Sequence, residues 1–396
     1  MEQWKKNSYV LWLAVFVASI CWNMVMPFTP DYLKILGVDH AAEFWTGIII
    51  SVASLCSMIM SPIWGAVGDR FGRRMMMLRA GFFLTISYVG MALVTGPYGL
   101  LGIRMMIGLL TGFVPMAIAL VGVSTPQEHV GRALGMIQTA WPSGSIIGPV
   151  IGGLAADAVG IRGTSWVSAA MCAAATALVF FSVKEQFTPP PSARAGMLAD
   201  LKAAATHKVL IMIVMITAAS SAAIMGLEPV LVPFVRQIAG NDAPSWLSGL
   251  IFSIPGVAFI AMAPYWARRG EKQGFAKTVS IGLLGSGILY TLQTFVGSVW
   301  QMGGVRLLSG MTGAAIVPGV AALLATAVPL ELRGRAFGLN QSASSLGSIV
   351  GPFVGGYIAS FVNARGVFLM TGLIYLGASL FVTRVVAPRV AKESAA

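Results

Sequence analysis

The sequence predicts an all-α membrane protein, with twelve transmembrane helices in two pseudo-symmetric six-helix bundles. Three observations carry that prediction. Only 10% of the 396 residues are charged and 57% are hydrophobic, against about 25% charged in an average soluble domain. The apolar residues gather into segments near the length that crosses a bilayer as a helix. The second half of the chain also repeats landmarks of the first at a nearly constant offset.

Taken in order, the apolar segments cover about 9–30, 44–66, 76–95, 98–122, 134–156, 165–184, 209–236, 246–267, 278–296, 299–327, 336–361 and 366–386. In lipid the backbone must satisfy its own polar groups, so each segment reads as a helix. The first run is too long for a signal peptide, contains Trp22 and Asn23, and lacks a small-residue cleavage site. Connections are short. The longest polar stretch, EQFTPPPSARAGMLADLKAAATHK at 185–208, reads as a linker with a short interfacial helix. It separates a first bundle, 1–184, from a second, 209–396.

The net charge of +12 has a distribution that suits neither a nucleic-acid patch nor a basic tail. With the N-terminus in the cytoplasm, twenty Lys and Arg fall at cytoplasmic loops and segment ends and four in outer loops. Positive residues favour the inner side, which sets both termini inside. Cys21, Cys56 and Cys172 lie in apolar segments without ligand spacing and read as buried thiols. His40, His129 and His207 are scattered, and no G-x-x-x-x-G-K-[ST] loop occurs. The expectation is therefore no metal, no cofactor, no nucleotide and no enzyme activity.

The repeat is specific. Residues 131–163 and 334–366 align without gaps and share 17 of 33 identities, at an offset of 203. Earlier landmarks recur at 202: Pro62 with Pro264, Trp64 with Trp266, Gly72 with Gly274, Arg104 with Arg306. Chance likeness of apolar helices matches Leu and Val, but it does not hold register across Trp, Pro and Arg. Two parallel six-helix repeats with substrate held between them is a transporter plan.

Three motifs sharpen it. GAVGDRFGRR, between segments 2 and 3, sets Gly65, Asp69, Arg70, Gly72, Arg73 and Arg74 at the spacing G-x-x-x-D-R-x-G-R-R. Gly72 permits a tight turn, and Asp69 can sit at a helix N-terminus. The second half carries a worn copy, with Phe275 and Ala276 in place of the two arginines. Segment 5 carries Gly135, Gly144, Gly148, Pro149, Gly152 and Gly153, small residues for close helix packing and a proline for a bend. Segment 11 repeats the pattern at Gly338, Gly347, Gly351, Pro352, Gly355 and Gly356. Segment 1 ends in MPFTPDYL, with Pro27, Pro30 and Asp31.

On these motifs and nearly its full length, the chain resembles the twelve-helix drug/proton antiporters of the major facilitator superfamily. The resemblance implies a cytoplasmic latch at the first motif, an export signature in segment 5, and a role in proton coupling for the segment-4 arginine. Arg104 stays open between that role and a structural ion pair or a snorkelling side chain; Arg306, its repeat partner, stays open between a structural or snorkelling side chain and a place in the substrate cavity. Asp31 reads either as a solvated segment end or as an accessory acid at the mouth of the cavity.

Glu228 is the only ionisable residue between Val209 and Val235. An acid at a bilayer centre costs about 2.5–3.5 kcal/mol or more. Pro229 matches Pro27 in the repeat, so Glu228 stands opposite Met26, and the fold does not require an acid there. Desolvation favours the protonated form, so this carboxyl can take a proton and release it when its surroundings become wetter. Trp22, Asn23, Phe113, Met116, Gln138, Trp141, Met225, Arg306, Asn340 and Gln341 are candidates to line a substrate cavity, helix packing being the open alternative.

The expected protein is a proton-coupled exporter of small amphipathic molecules working by alternating access, as a monomer. Its ligands are substrate, protons and lipid, and not nucleic acid. A dedicated exporter of an endogenous metabolite such as an opine-type metallophore, an importer, and a lipid translocator or non-transporting receptor remain as alternatives.

Overall fold

The computed structural model describes residues 2–38, 40–110, 112–185, 208–240, 242–328 and 333–389. The linker read at 185–208 lies, between its two end residues, outside the described residues. Helices dominate throughout. The first unit of the repeat contains α1 (Gln3–Val25), a 3-10 turn (Met26–Phe28), α2 (Thr29–Ile35), α3 (Ala42–Phe71), α4 (Arg73–Leu93), α5 (Pro97–Leu110), α6 (Phe113–Ser124) and α7 (Val130–Ser182). The second contains α8 (Lys208–Met225), α9 (Glu228–Ala239), α10 (Ser245–Gln273), α11 (Phe275–Gln293), α12 (Val299–Gly313), α13 (Ile316–Ala327), α14 (Arg333–Phe361) and α15 (Ala364–Phe381), followed by a π turn at Val382–Val386.

Four of the expected spans are broken, and the breaks obey the repeat. Segment 1 breaks at Met26–Phe28 and segment 7 at Gly226 and Leu227, each next to a proline, Pro27 or Pro229, that lacks a backbone donor. Segment 4 breaks before Phe113, where Gly112 has φ +132°, and segment 10 breaks at Ala314 and Ala315. The loop expected between segments 5 and 6 is helical except at Gly160, where φ is +76°. Ten helices among the described residues are long and apolar enough to cross a membrane when the broken pieces are joined. The 53-residue α7 counts once there, although Gly160 divides it into two arms, and α14, the repeat partner of its first arm, falls outside that ten. With α7 read as two and α14 added, the described helices fit the twelve-span plan.

The helices pack into two compact units. One comprises Met1–Ala42, Val52–Ala193 and Asp242–Ser253; the other comprises Glu43–Ser51, Arg194–Asn241 and Ile254–Ala396. The beginnings of α3 and α10 are thus exchanged relative to the repeat halves. In the first unit Leu11, Val15, Met77, Phe113, Met116, Leu120, Ile137 and Val179 form one buried cluster. Each unit ties its second span to its fourth in the same way: Trp64 Nε1 donates to the Leu109 carbonyl at 2.6 Å, and Trp266 Nε1 to that of Met311 at 2.7 Å.

Candidate functional site

The glycine pattern of segment 5 becomes a helix interface on two sides. A Cβ added at Gly144 would lie 2.5 Å from Ser19 Cβ, and one at Gly148 would lie 2.7 Å from Asn23 Cβ. One at Gly152 would press on the backbone of Met24, all on α1. On the other side, a Cβ at Gly153 would lie 2.5 Å from the Trp246 Cα, and Pro149 packs its carbonyl against Gly249, both on α10. Asp157, one turn further along α7, accepts from the backbone N–H groups of Ser245 (2.8 Å) and Trp246 (3.1 Å) and so caps α10.

The second unit repeats this arrangement. Gly347 and Gly351 meet Ser221 and Ala222 on α8, Gly355 meets Gly226, and Gly356 meets Glu43 and Phe44 on α3. Pro352 packs on Gly47, and Ser360, the repeat partner of Asp157, accepts from the Phe44 N–H at 3.0 Å. Gly135 and Gly338 would meet nothing within 4 Å and take no part in these contacts. Neither cap was read from the sequence. The signal was there: cap-forming residue types at one repeat position.

Glu228 opens α9, directly after the break at Gly226 and Leu227, and is half-buried. The first backbone N–H groups of a helix lack partners in that helix and favour nearby negative charge. Here Pro229 carries no backbone donor and the Val230 and Leu231 N–H groups donate to the Leu227 carbonyl, so the break puts the acid in the first turn of α9 without a row of free backbone donors. Arg104 is 1% exposed and Arg306 8% exposed. The Arg104 guanidinium lies 5.5 Å from the Trp22 ring, a cation–π distance. Asp31 is 5% exposed, which corrects the solvated-end reading: the chain winds on past Pro30 as α2 and encloses it.

The loop motif is a single-residue joint. Gly72 ends α3 and starts α4 with φ +93°, and Gly274 does the same at +90° between α10 and α11. A side chain would be strained at either position. Arg73 Nη2 pairs with Asp69 Oδ1 at 2.6 Å. Asp69 sits in the last turn of α3, not at a helix N-terminus as expected within this motif. The acid at the start of α4 is Glu185, whose two oxygens accept from Arg73 N (3.0 Å) and Arg74 N (2.8 Å). Arg74 donates to the Phe180 carbonyl at 2.6 Å, and Arg70 is exposed beside the Phe71 ring. Gly65 would meet nothing within 4 Å. Removing the cap with Glu185→Ala is expected to cost about 0.5–2 kcal/mol and to lower the melting temperature in detergent, with Glu185→Gln losing less.

The cavity candidates divide. Phe113 and Met116 belong to the buried core. Asn23 donates to the Ser19 carbonyl of its own helix at 2.9 Å and lies against Gly148, while Asn340 accepts from Thr217 on α8 at 2.6 Å, so both also serve helix packing. Gln138, Trp141 and Gln341 are exposed on their helices, and Trp22 and Met225 are half-buried.

The sequence profile of the Major Facilitator Superfamily matches residues 11–268 and 215–396. The chain is a member of that superfamily. This facilitator is 35% identical over 377 residues to the multidrug resistance protein MdtG of Serratia proteamaculans, covering 94% of its own length and 92% of the relative's. It is 34% identical to MdtG of Enterobacter lignolyticus, covering 94% and 90%. Among solved structures it resembles a peptide transporter POT in complex with sulfate, at TM-score 0.80, 14% identity and coverage of 98% and 95%. It also resembles the human organic anion transporter MFSD10, at TM-score 0.68, 19% identity and coverage of 96% and 100%. These structural neighbours share the facilitator's fold. It is an all-α, multi-pass membrane protein whose relatives are transporters rather than enzymes.

Proposed function

We propose that this facilitator exports small amphipathic molecules, drugs among them, by alternating access, and that protons move inward as substrate moves out. The observation that carries the proton step is Glu228: an acid at the start of α9, where the repeat puts Met26 in the other half. The glycine interfaces support the mechanical step, because helices without intervening side chains can shift against one another. The names of the MdtG relatives support the substrate class. The orientation follows the Lys/Arg bias, with both termini in the cytoplasm and the chain in a bacterial inner membrane. It works as a single chain, needs no cofactor, and takes energy from the proton gradient; about 2.3 kcal/mol per charge is available for each 100 mV.

The test is purified protein in proteoliposomes under an imposed pH gradient, with a panel of lipophilic cations, anionic metallophores and neutral amphipaths. Proton movement on addition of lipophilic cations is expected. Movement with a metallophore alone assigns a dedicated metabolite exporter instead. No substrate-linked proton movement with any compound overturns the antiport reading.

A further inference from the structure

Arg79 on α4 carries a charge that the packing of the fold does not require. Its guanidinium carbon lies 3.4 Å from the centre of the Trp64 ring on α3, a flat cation–π stack. The ring is held by its own bond to the Leu109 carbonyl. Nε and Nη1 of Arg79 are enclosed and have no hydrogen-bond partner among the described residues. No carboxylate there pairs with this guanidinium. The arginines at the start of α4 are occupied, Arg73 by Asp69 and Arg74 by the Phe180 carbonyl. In the repeat, Arg79 becomes Ile281, which packs with the cluster of Trp266, Ala314 and Ala315. An apolar side chain therefore satisfies this place beside the tryptophan, and the charge at Arg79 answers to something outside the fold.

The position is that of a membrane surface. Arg79 stands six residues beyond Arg73, about 9 Å along the axis. Helical side chains lean back toward the helix N-terminus, so the guanidinium lies between that end and the hydrocarbon. Spacings of four, three and four residues set Met75, Arg79, Phe82 and Ile86 on one stripe of α4. Met75, Phe82 and Ile86 are exposed, so the stripe is an apolar face open to lipid with one cation in it. Nη2 is not among the enclosed nitrogens, which leaves an edge of the guanidinium for a ligand. A guanidinium matches phosphate oxygens and stacks on rings as an ammonium does not. Basic recesses between helices near the membrane surface suit anionic headgroups. Beyond Arg79 the stripe continues toward the middle of the membrane, where it can take an acyl chain that a free phosphate lacks.

We propose that Arg79, stacked on Trp64, binds the phosphate of an anionic phospholipid whose acyl chain follows Phe82 and Ile86. The lipid belongs to the leaflet in which α4 starts, the inner one in the orientation proposed above. It spans α3 and α4 on either side of the joint at Gly72. The site stands apart from the antiport reading and needs no proton movement.

Purified wild type and Arg79→Ile are titrated in detergent with phosphatidylglycerol or phosphatidylcholine. Binding is read by native mass spectrometry and by melting temperature. The wild type is expected to bind phosphatidylglycerol about fivefold more tightly than Arg79→Ile, with phosphatidylcholine bound alike by both. Arg79→Lys should fall between them, because it keeps the charge and loses the flat stack. Ile281 in the other half indicates that Arg79→Ile folds; Arg79→Gln gives the same comparison if it does not. Equal binding of phosphatidylglycerol by the wild type and the neutral variant overturns the proposal. So does an equal loss of both lipids, which assigns shape and not charge. Stabilisation by inorganic phosphate alone, matching that by phosphatidylglycerol, overturns it in favour of a free-anion site.

Discussion

Glu228→Gln is expected to insert and fold, to keep its substrate binding, and to lose proton-driven efflux by about tenfold or more. The substitution keeps the shape of the side chain and removes only its ability to ionise. The break at Gly226 and Leu227 survives it, because the missing backbone donor of Pro229 is untouched. The repeat indicates that a neutral residue is tolerated by the fold, since the matching turn carries Met26. Efflux of a lipophilic cation from loaded vesicles, with the interior pH followed in parallel, reads both halves of the prediction. Unchanged coupled efflux would falsify the assignment. Partial recovery in Glu228→Asp would strengthen it, because the acid returns at a shorter reach.

The second large effect is expected at Gly152 and Gly355. A single added methyl at Gly152 has the Met24 backbone in its way, and one at Gly355 has that of Gly226. Backbone cannot rotate aside as a side chain can, so the helices must separate. Overpacking of this kind costs about 1–3 kcal/mol, or more where nothing yields. Gly152→Ala and Gly355→Ala should each reduce transport strongly in protein that still reaches the membrane. Gly135→Ala and Gly338→Ala belong to the same sequence pattern but would meet nothing within 4 Å. They should transport like the wild type. Equal behaviour of all four variants in the vesicle assay would deny that close approach is what the pattern provides.

Much of this was legible in the sequence because the repeat ties distant positions together. Trp64 and Trp266 recur at the offset the sequence shows, and the structure gives both the same bond. The prolines and glycines marked where helices bend and touch because those effects are local to the backbone. What could not be read depends on partners brought from elsewhere in the chain. Glu185 reaches the start of α4 from 112 residues away, and nothing near Arg73 announces it. Asp69 was expected at a helix start because an acid suits that place, but the turn at Gly72 leaves it at a helix end, held by Arg73. Phe113 and Met116 looked adaptable enough for a cavity, yet α6 turns them into the core. Asp31 looked solvated only while its helix was taken to stop at Pro30.

The exchanged ends of α3 and α10 have a consequence for how the chain can be divided. Neither polypeptide half contains all of either compact unit: Glu43–Ser51 is counted with the second and Asp242–Ser253 with the first. Two fragments cut at the linker would each expose a glycine-lined groove, at Gly356 or at Gly153, whose filling strand of helix is on the other fragment. Such fragments should be obligate companions, each degraded when made alone and each rescued by the other. Duplication of a six-helix ancestor would then have left a protein that is two-fold by descent but indivisible in assembly.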